Sequence, residues 1–185
     1  MELSHSLLFI FLILLLIGER LGELRSANRN SEKLIGRGGR EFGATHYPAI
    51  VAMHTAFFAS LVTEFIVRAE PLASFSLLPL FLLLGAQVLR FWVRRTMKDR
   101  WTTRVIVIPG EKLIATGPFR YFTHPIYIAV ALELFSLPLI FGLYVTCIVF
   151  SILNAIVLLF IRIPCERSAL EWSQIIPFFD ASAET

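Results

Sequence analysis

Chemistry-bearing side chains fall at a few defined places along this chain. The stretch Gly117-Pro-Phe-Arg-Tyr-Phe-Thr-His-Pro-Ile-Tyr127 puts His124, Pro125 and Tyr127 at the start of an apolar run. Proline favours the first turn of a helix, where its missing N–H costs nothing. His124 then falls at the N-cap and Tyr127 one turn in, so both rings face the cytoplasmic mouth of one helix. Free amides and the positive dipole end at a helix N-terminus suit a carboxylate or a phosphate. The same spacing also serves as a helix-start punctuation mark with interfacial tyrosines, and residue types alone do not separate the two.

A second constellation is Arg162-Ile-Pro-Cys-Glu166. Arg162 and Glu166 are four apart and can share a helix face, while Pro164 between them is expected to bend or end the helix. The alternative is an arginine snorkelling to an interface with a nearby carboxylate as partner. A third stretch, Glu41-Phe-Gly-Ala-Thr-His-Tyr-Pro48, leads to His54. Two histidines eight apart with no further ligand cluster do not make a metal site, and none is expected. Glu133 and Glu64 lie inside apolar runs, where an ionisable group is a functional candidate by default. Glu133 stands two turns above His124 and Tyr127, and either lines the same cavity or pairs with a helix-borne donor.

The elements that must position these residues are membrane helices. Hydrophobic residues make up 56% of the 185 and charged residues only 17%, against about a quarter in a soluble domain. Mean hydropathy is +0.71. The apolar residues fall in blocks of about the 20 residues that cross a bilayer core. This predicts one all-α integral membrane domain, residues 1–185, with about five transmembrane helices over 3–24, 48–67, 72–93, 125–141 and 143–163. The fourth is short, contains Pro138, and is expected to be kinked or to turn tightly into the fifth at Gly142. Within the connection 94–124, Arg104-Val-Ile-Val-Ile-Pro109 and Lys112-Leu-Ile-Ala-Thr116 flank a Pro-Gly turn, which reads as a short β-hairpin or as a plain loop.

Basic residues alternate between loops. Six Lys/Arg lie between Arg20 and Tyr47, one at Arg68, eight between Arg90 and His124, none between the fourth and fifth segments, and two at Arg162 and Arg167. By the positive-inside rule the N-terminus is outside, and the C-terminus and the loop 94–124 are cytoplasmic. The run from Arg90 to Arg104 is read as an anchor for anionic lipid headgroups.

Several classes are excluded. The net charge of +3 is topological, and no basic stretch has the interleaved aromatics of a nucleic-acid groove. Cys147 and Cys165, roughly 27 Å apart along a helix, form no disulfide. There is no Walker-type glycine loop, GxSxG or GxGxxG motif.

The two constellations together, Gly117 to Tyr127 and Arg162-Ile-Pro-Cys-Glu-Arg-Ser-Ala-Leu170, resemble the isoprenylcysteine carboxyl methyltransferase family of small membrane enzymes. The resemblance covers residues 117–170. The stretch from Ala27 through His46-Tyr47-Pro48 to His54 looks like the bacterial branch that includes alkylpyrone O-methyltransferases. Thr123 and Arg167 depart from the pattern, standing where Arg and a second Glu are usual. The resemblance implies S-adenosylmethionine as cofactor, held by Tyr121, His124, Pro125, Tyr127 and Glu166, with Arg162 and Glu166 as catalytic residues near the methyl transfer point. It implies O-methylation of a carboxylate or a phenol/enol in a lipid-like acceptor, of alkylpyrone/alkylresorcinol or isoprenylcysteine type. Glu41, His46, His54 and Glu133 are the residues assigned to that acceptor. The expected location is a bacterial inner membrane; the partners are the bilayer and a hydrophobic small molecule, with no nucleic acid. A sterol-reductase-like protein using NADPH carries a similar His-Pro stretch but has Asn where Ile126 stands here. A non-catalytic lipid-binding membrane protein is the remaining alternative.

Overall fold

The computed structural model describes residues 2–68 and 77–183, and it is almost entirely helical: α1 (Glu2–Gly36), α2 (Tyr47–Arg68), α3 (Leu77–Met97), α4 (Pro125–Ile140), α5 (Tyr144–Val157) and α6 (Ile163–Ala183). Residues 72–76 of the expected third segment lie outside the described residues. Three helical stretches are long and apolar enough to cross a membrane, Tyr47–Arg68, Leu77–Arg100 and Tyr144–Ser173, and Pro125–Ile140 is a shorter apolar helix.

Large apolar side chains point outward on several helices: Phe11, Leu14, Val67, Phe81, Val88, Ile148 and Phe160 are all mostly exposed. A water-soluble monomer rarely shows so much contiguous apolar surface, whereas a bilayer solvates it. The chain is an all-α integral membrane protein.

The interior is built around α4. Ala129, Leu134, Leu137 and Ile140 are buried, and the last three join Phe9, Ile13 and Leu16 of α1, Phe57 and Leu61 of α2, Leu83 of α3 and Phe150 of α5. Phe9 stacks on Phe65 with ring centroids 3.9 Å apart and meets Phe141 edge-on. Most of α4 is enclosed, and it is accordingly apolar nearly all round. It turns into α5 at Phe141-Gly142, where the Leu143 amide donates to the Pro138 carbonyl. Glu64 of α2 accepts from the Val145 and Thr146 amides at the start of α5, and Arg68 donates to the Gly142 carbonyl. Glu64 is therefore a cap supplied by another helix to otherwise unpaired amides.

One expected boundary is corrected, and two alternatives left open by the sequence are decided. The first helix does not stop near residue 24 but runs to Gly36. Its polar extension is held because Ala27, Ser31 and Leu34 are buried against the segment that follows α3. Of the hairpin and the loop left open for the connection 94–124, residues 112–116 are loop, and β2 (Val105–Val107) pairs antiparallel with β1 (Arg40–Phe42) in the register Glu41↔Ile106. The more distant partner wins because Glu41 also receives two bonds from Arg104, at 3.0 and 3.1 Å. Finally, Pro164 does not end the helix. The five residues Leu158–Arg162 form a π-turn that carries α5 directly into α6. Widening the helix by one residue accommodates the amide that proline lacks.

Candidate active site

The π-turn and the start of α4 are what bring the two sequence constellations together. Pro125 is the first residue of α4 and His124 its N-cap, with no side chain capping the helix. The His124 and Tyr127 rings stack, centroids 5.2 Å apart and 17° from parallel. Glu166, one turn into α6, reaches both. Its Oε2 accepts from the Tyr127 hydroxyl at 2.9 Å and lies 3.2 Å from His124 Nδ1. The cluster is half-buried, with the His124 and Glu166 side chains 29% and 34% exposed. Arg162, one turn before Glu166, lies beside the Tyr127 hydroxyl and donates to the Thr103 carbonyl at 3.3 Å.

Neighbouring elements fix both sides of this cluster. Gly117 has φ +61, and a Cβ there would meet Thr96 Oγ1 at 2.5 Å, so the turn before α4 lies directly on the end of α3. A side chain at that position would push the turn away. Across from it, α6 is held to the small sheet. Trp172 packs on Phe42, Arg40 lies over the Trp172 ring at 5.2 Å, and the Gly110 amide donates to the Ser173 carbonyl.

Not every residue picked out from the sequence enters the cluster. Tyr121 is 67% exposed, with its ring 6.2 Å from Trp92 rather than among the His124, Tyr127 and Glu166 groups. Glu41 is taken up by Arg104, whose guanidinium also lies over the Tyr47 ring. His46 lines an open groove of about 390 Å³ with Phe42, Thr45, Phe160, Cys165 and Ser168. Gly43, at φ +66, forms part of that groove's floor, and a Cβ on it would sit 2.7 Å from Cys165 Sγ.

Glu133 and His54 belong elsewhere. Glu133 is 3% exposed and accepts from Arg20 at 2.9 Å, Arg90 at 3.0 Å and Gln87 at 3.2 Å. Arg20, Arg90 and Arg94 also pair with Glu23, itself 3% exposed. His54 Nδ1 donates to the Ile50 carbonyl, with Glu133, Arg90 and Arg20 as nearby charges. Arg90 and Arg94 thus point into the bundle, which corrects their reading as headgroup anchors. This ion network, tying α1 and α3 to α4, was missed in the sequence. Its signal was the regular spacing Arg20/Glu23 and Gln87/Arg90/Arg94, three or four residues apart on helices that also carry apolar faces.

Comparison with known proteins agrees with the geometry. The family model for the isoprenylcysteine carboxyl methyltransferase (ICMT) family matches residues 77–172, the region from α3 to α6 that builds the cluster. An uncharacterized protein of Bacillus subtilis, YpbQ, is 38% identical over 89% of this chain and 97% of its own length. An uncharacterized protein of Haemophilus influenzae is 27% identical over 82% of this chain and 88% of its own. No solved structure matches the chain. With the stacked His-Pro-x-Tyr pair, its glutamate partner and the matched span all falling on the same four helices, the chain belongs to the isoprenylcysteine carboxyl methyltransferase family of membrane methyltransferases.

Proposed function

We propose that the protein is an S-adenosylmethionine-dependent O-methyltransferase acting on a carboxylate or phenol/enol oxygen of a lipid-like acceptor. The observation that carries this is the convergence of His124, Tyr127 and Glu166 at the uncapped start of α4. These residues fit a zwitterionic, cationic-centred cofactor. The Glu166 carboxylate suits its positive part, and the uncapped helix start with His124 suits its carboxylate. The stacked rings offer a flat surface beside it. When bound, S-adenosylmethionine supplies a methyl on a sulfonium, which passes to the acceptor oxygen while the C–S electron pair leaves on sulfur.

The chain's own task is then alignment and exclusion of water. Glu166 holds the stacked Tyr127 and His124 rings together. Arg162, fixed by the Thr103 carbonyl, faces the reacting oxygen and keeps it ionised and oriented. The groove between Phe42–His46 and Phe160–Ser168 is assigned to the acceptor. Phe160, 74% exposed on the lipid side, meets its chain, and His46 meets its polar head. The acceptor arrives laterally from the bilayer and the cofactor from the cytoplasm, with five crossings, the N-terminus outside and the inner membrane of a bacterium as setting. An alkylpyrone or alkylresorcinol acceptor is favoured over a prenylated cysteine, because the stretch leading to His46 and His54 resembles the bacterial branch.

Calorimetric titration of the detergent-purified protein with S-adenosylhomocysteine and with NADPH tests the reading. Micromolar binding of the first, lost in His124→Ala, is the expected result. Binding of NADPH alone would overturn it in favour of a reductase.

A further inference from the structure

The four residues Trp101 to Arg104 are each tied to a different point of the N-terminal third. Asn30 of α1 donates to the Trp101 carbonyl at 2.9 Å. Ser31 shares a hydrogen with the Thr102 hydroxyl at 2.8 Å. The Tyr47 hydroxyl at the start of α2 meets the Thr103 hydroxyl at 2.9 Å. Arg104 is held by both oxygens of Glu41 in β1 and lies 4.8 Å from the centre of the Tyr47 ring. Ordinary connecting loops bond mainly to water; this one is bonded at every residue. Its Thr103 carbonyl is the acceptor for Arg162.

We infer that Tyr47 and Thr103 are positioning residues for Arg162, with residues 101–104 acting as a splint that relays the placement of α1, β1 and α2 to that guanidinium. The inference rests on the proposed role of Arg162 and extends it to the N-terminal third, outside the family-matched span 77–172 for Tyr47. Arginine has many rotamers, and one backbone acceptor defines its direction only if that acceptor is itself fixed. The Tyr47–Thr103 bond is what fixes it. Glu41 acts one step further out, through Arg104, so it serves Arg162 rather than the acceptor.

Two measurements test this separately from the methyltransferase reading. The first needs no turnover: thermal melting of Tyr47→Phe, Arg162→Ala and the double variant. The inference expects the Arg162→Ala shift to shrink in the Tyr47→Phe background, because coupled residues are not additive; strictly additive shifts overturn it. The second measures transfer to a lipid acceptor and S-adenosylhomocysteine affinity in Tyr47→Phe, Thr103→Val and Thr103→Ser. The expected result is a fall in kcat of about 10- to 100-fold, the scale of a misplaced catalytic group, in Tyr47→Phe and Thr103→Val. Thr103→Ser keeps its rate, and all three keep their affinity. Parallel loss of affinity and rate in all three variants overturns it as a general folding effect. Failure of the wild type to bind S-adenosylhomocysteine sinks the methyltransferase reading alone, since the melting cycle still decides the positioning.

Discussion

Glu133 and Glu166 are both helix-borne carboxylates paired with cationic or aromatic partners, and they do different work. Glu133 is 3% exposed and its Oε2 receives three donors from two arginines and a glutamine. Glu166 is 34% exposed and among the described residues its Oε2 meets only Tyr127 and His124, neither of them an arginine. A buried charge inside an apolar bundle must be saturated with partners or it destabilises the fold. A carboxylate enclosed by two arginines and a glutamine leaves a ligand no route to it. The half-open one has an access route and no arginine already neutralising it, which is what binding a cationic ligand requires. The first ties α1 and α3 to α4, and the second sits where two helix ends meet.

The contrast is broken most severely at Glu133. Replacing it by Ala leaves Arg20, Arg90 and Arg94 on the single carboxylate of Glu23, an excess of buried positive charge, and about 3–5 kcal/mol of stability is expected to go. Melting in detergent should show this as a large downward shift or failure to purify, with Glu133→Gln intermediate. A shift no greater than that of Glu166→Gln would abolish the distinction between the two sites.

Glu166→Gln sharpens the comparison from the other side. Bonds to a charged acceptor contribute about 1.5–3 kcal/mol, so S-adenosylhomocysteine affinity is expected to fall roughly 10- to 100-fold while the melting temperature hardly moves. Titration calorimetry beside a melting curve measures both. Unchanged affinity would remove Glu166 from the cofactor site.

Glu64 is the intermediate case, a carboxylate that caps α5 from α2. Glu64→Ala is expected to lower stability by about 1 kcal/mol, the usual value of a cap, with no change in ligand affinity. A loss of affinity would show that the α4–α5 turn is coupled to the site. Smallest is Glu111→Gln at the pairs with Arg37 and Arg100. Exposed pairs contribute about 0–1 kcal/mol, and raising the salt should erase even that.

Much of the membrane architecture is legible without coordinates, because apolar run length and the energetics of burying peptide groups in lipid leave little choice but helices. The His124–Pro125–Tyr127 start of α4 is legible too, since proline's fixed φ and absent N–H act locally. What local chemistry cannot give is the partner. Glu133 looked equally suited to a ligand cavity or a donor, and only the approach of α1 and α3 decided for Arg20 and Arg90. Val105–Val107 carries the propensity of a strand, but the choice of Arg40–Phe42 over residues 112–116 depended on the ion pair of Arg104 with Glu41, more than 60 residues away in sequence. Pro164 forbids a regular helical bond, yet whether the chain breaks or widens into a π-turn depends on what packs around it. The sequence alone therefore determined the solvent, the helices and the local start of the site, because those follow from short-range sterics and hydration. Which charges saturate one another, and where Arg162 and Glu166 point, only the tertiary structure decided, because pairing energies depend on distances that the fold alone sets.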